Sequence, residues 1–216
     1  MEIHRIVDPS FDVNVYLVLG ADEALLVDAG TGRRSDLVAG ELEAHLGGRG
    51  LQHLVLTHRH FDHVGGARDL AARYGTRPRI SVDDAPPLTE GDVGSTGAAY
   101  FGSTMDPTQV EIVEYGAKFD LGEGTLEVLS TPGHTVGSIC LFGDDGSLFT
   151  GDTVFPYGGV GRFDFETGNF DQLVASVKRL NTLDATDLYP GHGAPVLGEA
   201  AEHLAWALGT VEGYGR

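Results

Sequence analysis

THRHFDHVGG (residues 57–66) places His58, His60, Asp62 and His63 within six consecutive positions. His58 and His60 are two apart, so on an extended chain both side chains face the same side. Asp62 and His63 follow as the chain turns toward a helix at Gly65–Gly66. A lone histidine reads as a surface or core residue. Three with an aspartate, directly after the apolar run LQHLVLT (51–57), read as metal ligands. Neutral imidazoles with a carboxylate suit zinc or iron.

Composition narrows what such a site can be. A chain of 216 residues suits one domain, 1–216, large enough to bury a core. Its 41% hydrophobic and 21% charged residues are those of a soluble globular protein. No stretch approaches the ~20 apolar residues of a membrane span. MEIHRIVDPS (1–10) lacks the basic and apolar regions of a signal peptide, so a cytoplasmic location and no membrane partner are expected. Cys140 is the only cysteine, which excludes an internal disulfide; within SICLF it reads as a small buried hydrophobe. Any metal is therefore held by nitrogen and oxygen. The net charge of −18 repels phosphate backbones and argues against a nucleic-acid partner. Among the 14 basic residues only Lys118 and Lys178 are lysine, a bias that resembles proteins of salt-loaded cytoplasm.

Strands are expected at 14–20, 23–30, 51–57, 125–131, 139–143, 147–152 and 187–191, the first two forming a hairpin that turns near Gly20–Asp22. Helices are expected at 33–46, 65–74, 171–180 and 199–211, with Ser35 or Thr31 capping the first and Asp171 or Asn169 the third. The elements alternate in two blocks, an α/β pattern. Between them, residues 83–107 are rich in Pro, Gly, Ser and Thr. They read either as a surface excursion or as a flap over the site, with helix around 97–101.

Further donors follow other expected strands: His134 in TPGHTVGS, Asp152 in TGDTVF and His192 in YPGHG. Strand ends are where α/β sheets gather ligands. His4, His45, His53 and His203 lack such flanks and read as structural or surface residues.

HRHFDH with GH at 134, GD at 152 and GH at 192, in that order, resembles the metallo-β-lactamase fold superfamily over essentially the whole chain. The resemblance implies a four-layer αβ/βα sandwich with two divalent metal ions, zinc first, with iron or manganese as alternatives. It implies that His58, His60 and His134 hold one ion, that Asp62, His63 and His192 hold the other, and that Asp152 bridges them. A bridging hydroxide would be the nucleophile, with Asp62 and Asp152 as the catalytic carboxylates. Asp28 would orient a ligand imidazole.

GVGRFDF (159–165) resembles the turn after the bridging aspartate in glyoxalase II-like thioester hydrolases and in persulfide dioxygenases. In those relatives a basic residue here binds the carboxylate of a glutathione moiety, which makes Arg162 the expected substrate-binding residue. A structural salt bridge to Asp164 is the competing reading. The resemblance is to the short, single-domain glyoxalase II-like enzymes, which leaves room for a thiol other than glutathione. The leading expectation is thus a metal-dependent hydrolase of a small-molecule hydroxyacyl thioester. The alternatives are a mononuclear Fe(II) dioxygenase using His58, His134 and Asp152, and a non-catalytic binding module.

Overall fold

The run VNVYLVL is buried at all seven positions, so both faces of its strand are covered. In the computed structural model, which describes residues 1–214, it lies second in a six-stranded sheet. That sheet runs in chain order through β1 (Glu2–Asp8), β2 (Val13–Leu19), β3 (Ala24–Val27), β4 (His53–Val55), β5 (Pro78–Ile80) and β6 (Glu111–Ile112). β1 to β3 pair antiparallel and β3 to β6 parallel. The second half of the chain supplies β7 (Lys118–Asp120), β8 (Thr125–Ser130), β9 (Ile139–Gly143) and β10 (Ser147–Gly151). A short ribbon of β11 (Val154–Phe155) and β12 (Gly159–Val160) follows, then β13 (Asp187–Pro190). The second sheet has the order β13-β10-β9-β8-β7, with β10 and β13 parallel. The helices are α1 (Ser35–Leu46), α2 (Phe61–Val64), α3 (Ala67–Tyr74), α4 (Ala85–Glu90), α5 (Phe170–Leu180) and α6 (Ala200–Tyr214).

Strand parity sorts the apolar residues into layers. Val15, Leu17 and Leu26 pack with Leu42 of α1 and Leu70 of α3. Their neighbours Tyr16, Val18, Leu25 and Val27 face the other way, onto Val128, Leu141 and Phe149 of the second sheet. On that sheet's far side Cys140 and Leu148 meet Leu173 and Val177 of α5 and Leu204 of α6. The layers are therefore helix, sheet, sheet, helix, the expected αβ/βα sandwich. Cys140 is fully buried, and burial pushes its thiol up to about 11.

The two sheets meet edge to edge through backbone. Asn14 N donates to Gly191 O at 2.8 Å, and Ile139 N to Thr57 O at 2.9 Å. In the first sheet β3 and β4 end on one edge; in the second, β8, β10 and β13 end on one edge. All the donor-bearing loops leave from these ends.

The expected elements are present with shifts of a few residues at their bounds, and β9 matches its expected bounds. Asn169 caps α5, its Oδ1 accepting from Gln172 N at 3.0 Å. Neither Ser35 nor Thr31 caps α1. Ser35 is already inside the helix, and the Thr31 hydroxyl is committed to Asp8 Oδ2 at 2.6 Å. Residues 83–107 are not structureless: they hold α4 and a 3₁₀ turn at Ala98–Phe101. β1 was absent from the expected elements because its polar, half-exposed pattern is that of an edge strand. Among the described residues no helix is long and apolar enough to cross a membrane.

Phe149 is fully buried between the sheets, 4.8 Å from the Tyr189 ring and 5.5 Å from that of Tyr16. Phe149→Ala is expected to remove about 3–5 kcal/mol of stability. Urea titration should show a lower midpoint with the same slope.

Candidate metal centre

β4 runs on through Leu56 and Thr57 to His58; His60 then precedes α2, which carries Asp62 and His63. His134 follows β8, Asp152 follows β10 directly and His192 follows β13. These loops bring three overlapping groups of donor atoms within 4.8 Å of one another: His58, His60 and His134; His58, His63 and Asp152; Asp62, His63 and His192. All seven expected ligands are in these groups. His63 Nε2 lies 3.3 Å from Asp152 Oδ1, and His192 Nε2 lies 3.1 Å from Asp62 Oδ2. Gly161 and Gly191 make this approach possible: a Cβ at either position would collide with Asp152.

The outward nitrogens of four imidazoles are engaged away from the centre. His63 Nδ1 donates to Asp28 Oδ2 at 2.8 Å, His134 Nδ1 to Arg162 O at 2.7 Å and His192 Nδ1 to Asp12 O at 3.1 Å. The Thr57 hydroxyl gives its proton to Asp28 Oδ2, so it accepts from His58 Nδ1 at 3.0 Å. Carbonyls and carboxylates only accept, so each Nδ1 carries the hydrogen and each neutral ring turns an Nε2 lone pair inward. Asp28 takes the orienting role expected of it. Its backbone is left-handed at φ 63°, as is that of Asp12 at φ 51°. Aspartate is among the few side-chain-bearing residues that adopt that region readily.

Among the described residues three buried side-chain polar atoms have no hydrogen-bond partner: His58 Nε2, His63 Nε2 and Asp152 Oδ1. They are adjacent and aimed at one point. His60 Nδ1 and His134 Nε2 face each other at 2.8 Å, where two lone pairs repel unless a cation or proton lies between them. Orphaned donors of this kind, all nitrogen and carboxylate oxygen, fit divalent metal ions.

The electrostatics agree. Burial, reinforced by His63 and His134, holds the His58 imidazole well below its ordinary range, and burial with His134 takes His60 down to about 3. Burial opposes the charged forms of Asp62 and Asp152, yet His63 beside them keeps both carboxyls below the usual range. Burial likewise opposes charge on His63, but Asp152 and Asp62 raise it.

His60, Asp62, His134, Asp152 and His192 line a cavity of about 750 Å³, with His58 and His63 buried behind them. Gly94–Gly97, Tyr100 and Phe101 form one wall, so the 83–107 segment does border the site. It is anchored there, with Phe61 N donating to Thr96 O at 2.8 Å. Arg162 also lines the cavity, and the structure shows the salt bridge to Asp164. Its guanidinium makes a bidentate pair with Asp164 at 2.8 and 2.9 Å, and also lies 4.2 Å over the Phe165 ring beside the cavity. The pair is exposed. Of the histidines expected to be structural, His203 is buried and accepts from Tyr157 N at 2.9 Å, while His53 pairs with Glu23 at 2.6 Å.

Asp84 escaped the sequence reading. Fully buried, it accepts from Arg59 N at 3.0 Å and Arg59 Nε at 2.7 Å, and from Thr135 Oγ1 at 2.6 Å and Gly137 N at 3.2 Å. It thereby ties the loop of His58 and His60 to that of His134. Asp12 was also missed, because its contribution is a carbonyl that any residue could supply.

Residues 9–192 match the Metallo-beta-lactamase superfamily. The chain is 37% identical over 188 residues to the probable metallo-hydrolase MJ0888 of Methanocaldococcus jannaschii, with 85% of this chain and 88% of that protein covered. It is 37% identical over 142 residues to a hydroxyacylglutathione hydrolase of Acidiphilium cryptum, with 66% of this chain but only 49% of that protein covered. Among solved structures, TTHA1623 in a di-iron-bound form is similar with a TM-score of 0.74 and 29% identity, covering 91% of this chain and 96% of that one.

Asp28→Asn keeps the side-chain volume and suits a left-handed backbone, but removes the charge that orients His63. It is expected to weaken metal affinity by about 10- to 100-fold. Competition against a chelator of known affinity measures this, and thermal unfolding of the metal-free protein should change little.

Proposed function

The chain belongs to the metallo-beta-lactamase superfamily, and on that premise we propose that it is a metal-dependent hydrolase of hydroxyacyl thioesters. The observation that carries this reading is the convergence of seven donors, three of their atoms buried and partnerless, with five of the seven residues lining an open cavity. His58, His60 and His134 would hold one divalent ion and Asp62, His63 and His192 a second, with Asp152 between them. Ions in such a site supply hydroxide near neutral pH and polarise a carbonyl.

The chain's own groups set up the rest. Asp28, Thr57, Asp12 and the Arg162 carbonyl hold the imidazoles in one tautomer, so no reorganisation is needed when substrate arrives. Asp62 and Asp152 are the carboxylates that line the cavity beside the imidazoles, and Asp62 Oδ2 lies 3.1 Å from His192 Nε2, its partner in the second group of donors. Hydrolysis of R–CO–SR′ consumes one water and yields R–COOH and R′–SH.

Support for a thioester comes from the GVGRFDF turn. Arg162 orients His134 through its carbonyl and presents its guanidinium to the cavity, so one residue couples the floor to the substrate. Phe165, 5.1 Å from the His60 ring, gives the thiol arm an apolar surface beside that charge. The named hydroxyacylglutathione hydrolase among its relatives points the same way.

Purified protein is expected to bind metal and to turn over a hydroxyacyl thioester. One iron per chain with oxygen uptake on a persulfide, and no thioester turnover, would establish the dioxygenase alternative instead. His60→Ala should lose activity and bound metal together, whereas His203→Ala should keep its metal. Arg162→Ala should raise KM by about tenfold with kcat held, the loss expected for one charged hydrogen bond to a part of the substrate remote from the chemistry. Its ion pair is fully exposed, so the melting temperature should barely move. An unchanged KM would remove Arg162 from the substrate site.

A further inference from the structure

We propose that the apolar groove beside His192 receives an uncharged, apolar tail on the acyl group, so that the substrates are thioesters of acids with such a tail. The inference rests on the thioester reading above and names the acyl class for that same site.

The groove has a volume of about 510 Å³, and Phe11, Phe155, Pro156, Tyr157, Ala194 and Val196 line it. Among the described residues no lysine, arginine, aspartate or glutamate lines it. Phe11, Phe155 and His192 also line the metal cavity, so the two spaces adjoin at the His192 imidazole. A molecule reacting at the cavity floor can therefore extend into the groove without leaving protein surface.

The apolar surface is held open by the fold. In a chain with a net charge of −18, Phe11 is 53% exposed and Tyr157 is 84% exposed. Tyr157 is the third non-glycine residue with a left-handed backbone among those described, at φ 60°. The His203 ring fixes it there, accepting its N–H at 2.9 Å and lying 5.2 Å from its ring. Fixed, exposed apolar groups at the mouth of a site mark binding surface.

Direction assigns the groove to the acyl side. Arg162 is attached to the His134 side of the centre through its carbonyl. The groove is on the His192 side, where the Asp12 carbonyl next to Phe11 holds the ring. An ester centred on the floor sends its two arms apart: the thiol arm toward Arg162 and Phe165, the acyl arm toward Phe155 and Tyr157. With no cation in its walls, the groove excludes a tail that ends in a carboxylate or phosphate.

The test uses the metal-loaded full chain and 2-hydroxyacyl thioesters of one small neutral thiol, lengthened from lactoyl by single methylenes. Calorimetric Kd values for the free 2-hydroxy acids of the same series accompany kcat/KM. Both affinity and kcat/KM should improve by about fourfold per methylene until the groove is filled. Ala194→Phe fills the groove from an exposed position, and Tyr157→Gly removes a wall while relieving its backbone. Each should cut the long-to-short ratio of kcat/KM by about tenfold or more. Length-independent values, or an undiminished slope in both variants, overturn the groove assignment. So does a dimer in sedimentation that Tyr157→Gly dissociates, since a second copy would then be the occupant. Absence of turnover together with length-dependent Kd values overturns the thioester reading but supports the groove.

Discussion

Burying four imidazoles and two carboxylates so that their free valences meet at one point is unfavourable for the bare chain. Each buried polar atom left without a partner costs about 1–3 kcal/mol, and His58 Nε2, His63 Nε2 and Asp152 Oδ1 are three such atoms in van der Waals reach of one another. A sequence tolerates this only where the surrounding structure over-determines it. The rest of the site follows from that requirement. The Nδ1 atoms of His58, His63, His134 and His192 are tied outward, Gly161 and Gly191 let the backbone close in, and Asp12 and Asp28 take up a left-handed conformation.

The sandwich supplies this over-determination through its two sheets. Neither contains the centre: His58, His60, Asp62 and His63 follow β4, whereas His134, Asp152 and His192 follow β8, β10 and β13. Relative motion of the sheets would pull the donors apart. Backbone bonds from Asn14 to Gly191 and from Ile139 to Thr57 cross between them within a few residues of the ligands. Asp84 does the same with side chains, gripping Arg59 from one loop and Thr135 from another. Breaking a buried charge pair by removing one partner leaves an uncompensated ion, so this clamp is stiff. The apolar interlayer around Tyr16, Val128 and Phe149 holds the sheets together behind the centre.

The clustered histidines and aspartates were legible in the sequence because side chains able to hold a metal are a restricted set, and because strand ends and glycines punctuate the chain where they occur. Strands that are buried on both faces, such as 13–19, announce themselves as apolar runs. What was not legible shares a different character. β1 is a half-polar edge strand whose partner defines it, and α4 is a six-residue helix inside a Pro- and Gly-rich segment. Asp84 and the Asp12 carbonyl act through contacts that no local spacing encodes. Thr31 was misread for a related reason: its hydroxyl satisfies Asp8, a residue 23 positions away, rather than the nearby helix.

Chemistry and selectivity occupy different depths of one cavity. The floor is fixed by burial and by hydrogen bonds that leave each donor a single orientation. The rim is built from exposed groups whose interactions cost little to exchange. The Arg162–Asp164 pair is the example, since an ion pair in solvent is screened and contributes little, so that another carboxylate could replace Asp164 at the guanidinium with little penalty. Glu166 and Asp164 line the same cavity, and among the described residues Arg162 is the only lysine or arginine that does. On the thioester reading proposed above, a thiol arm with one negative charge meets that guanidinium, and a carrier with several brings its further charges against the two carboxylates. Repulsion at the rim would then restrict what reaches the donors before any contact with them is made.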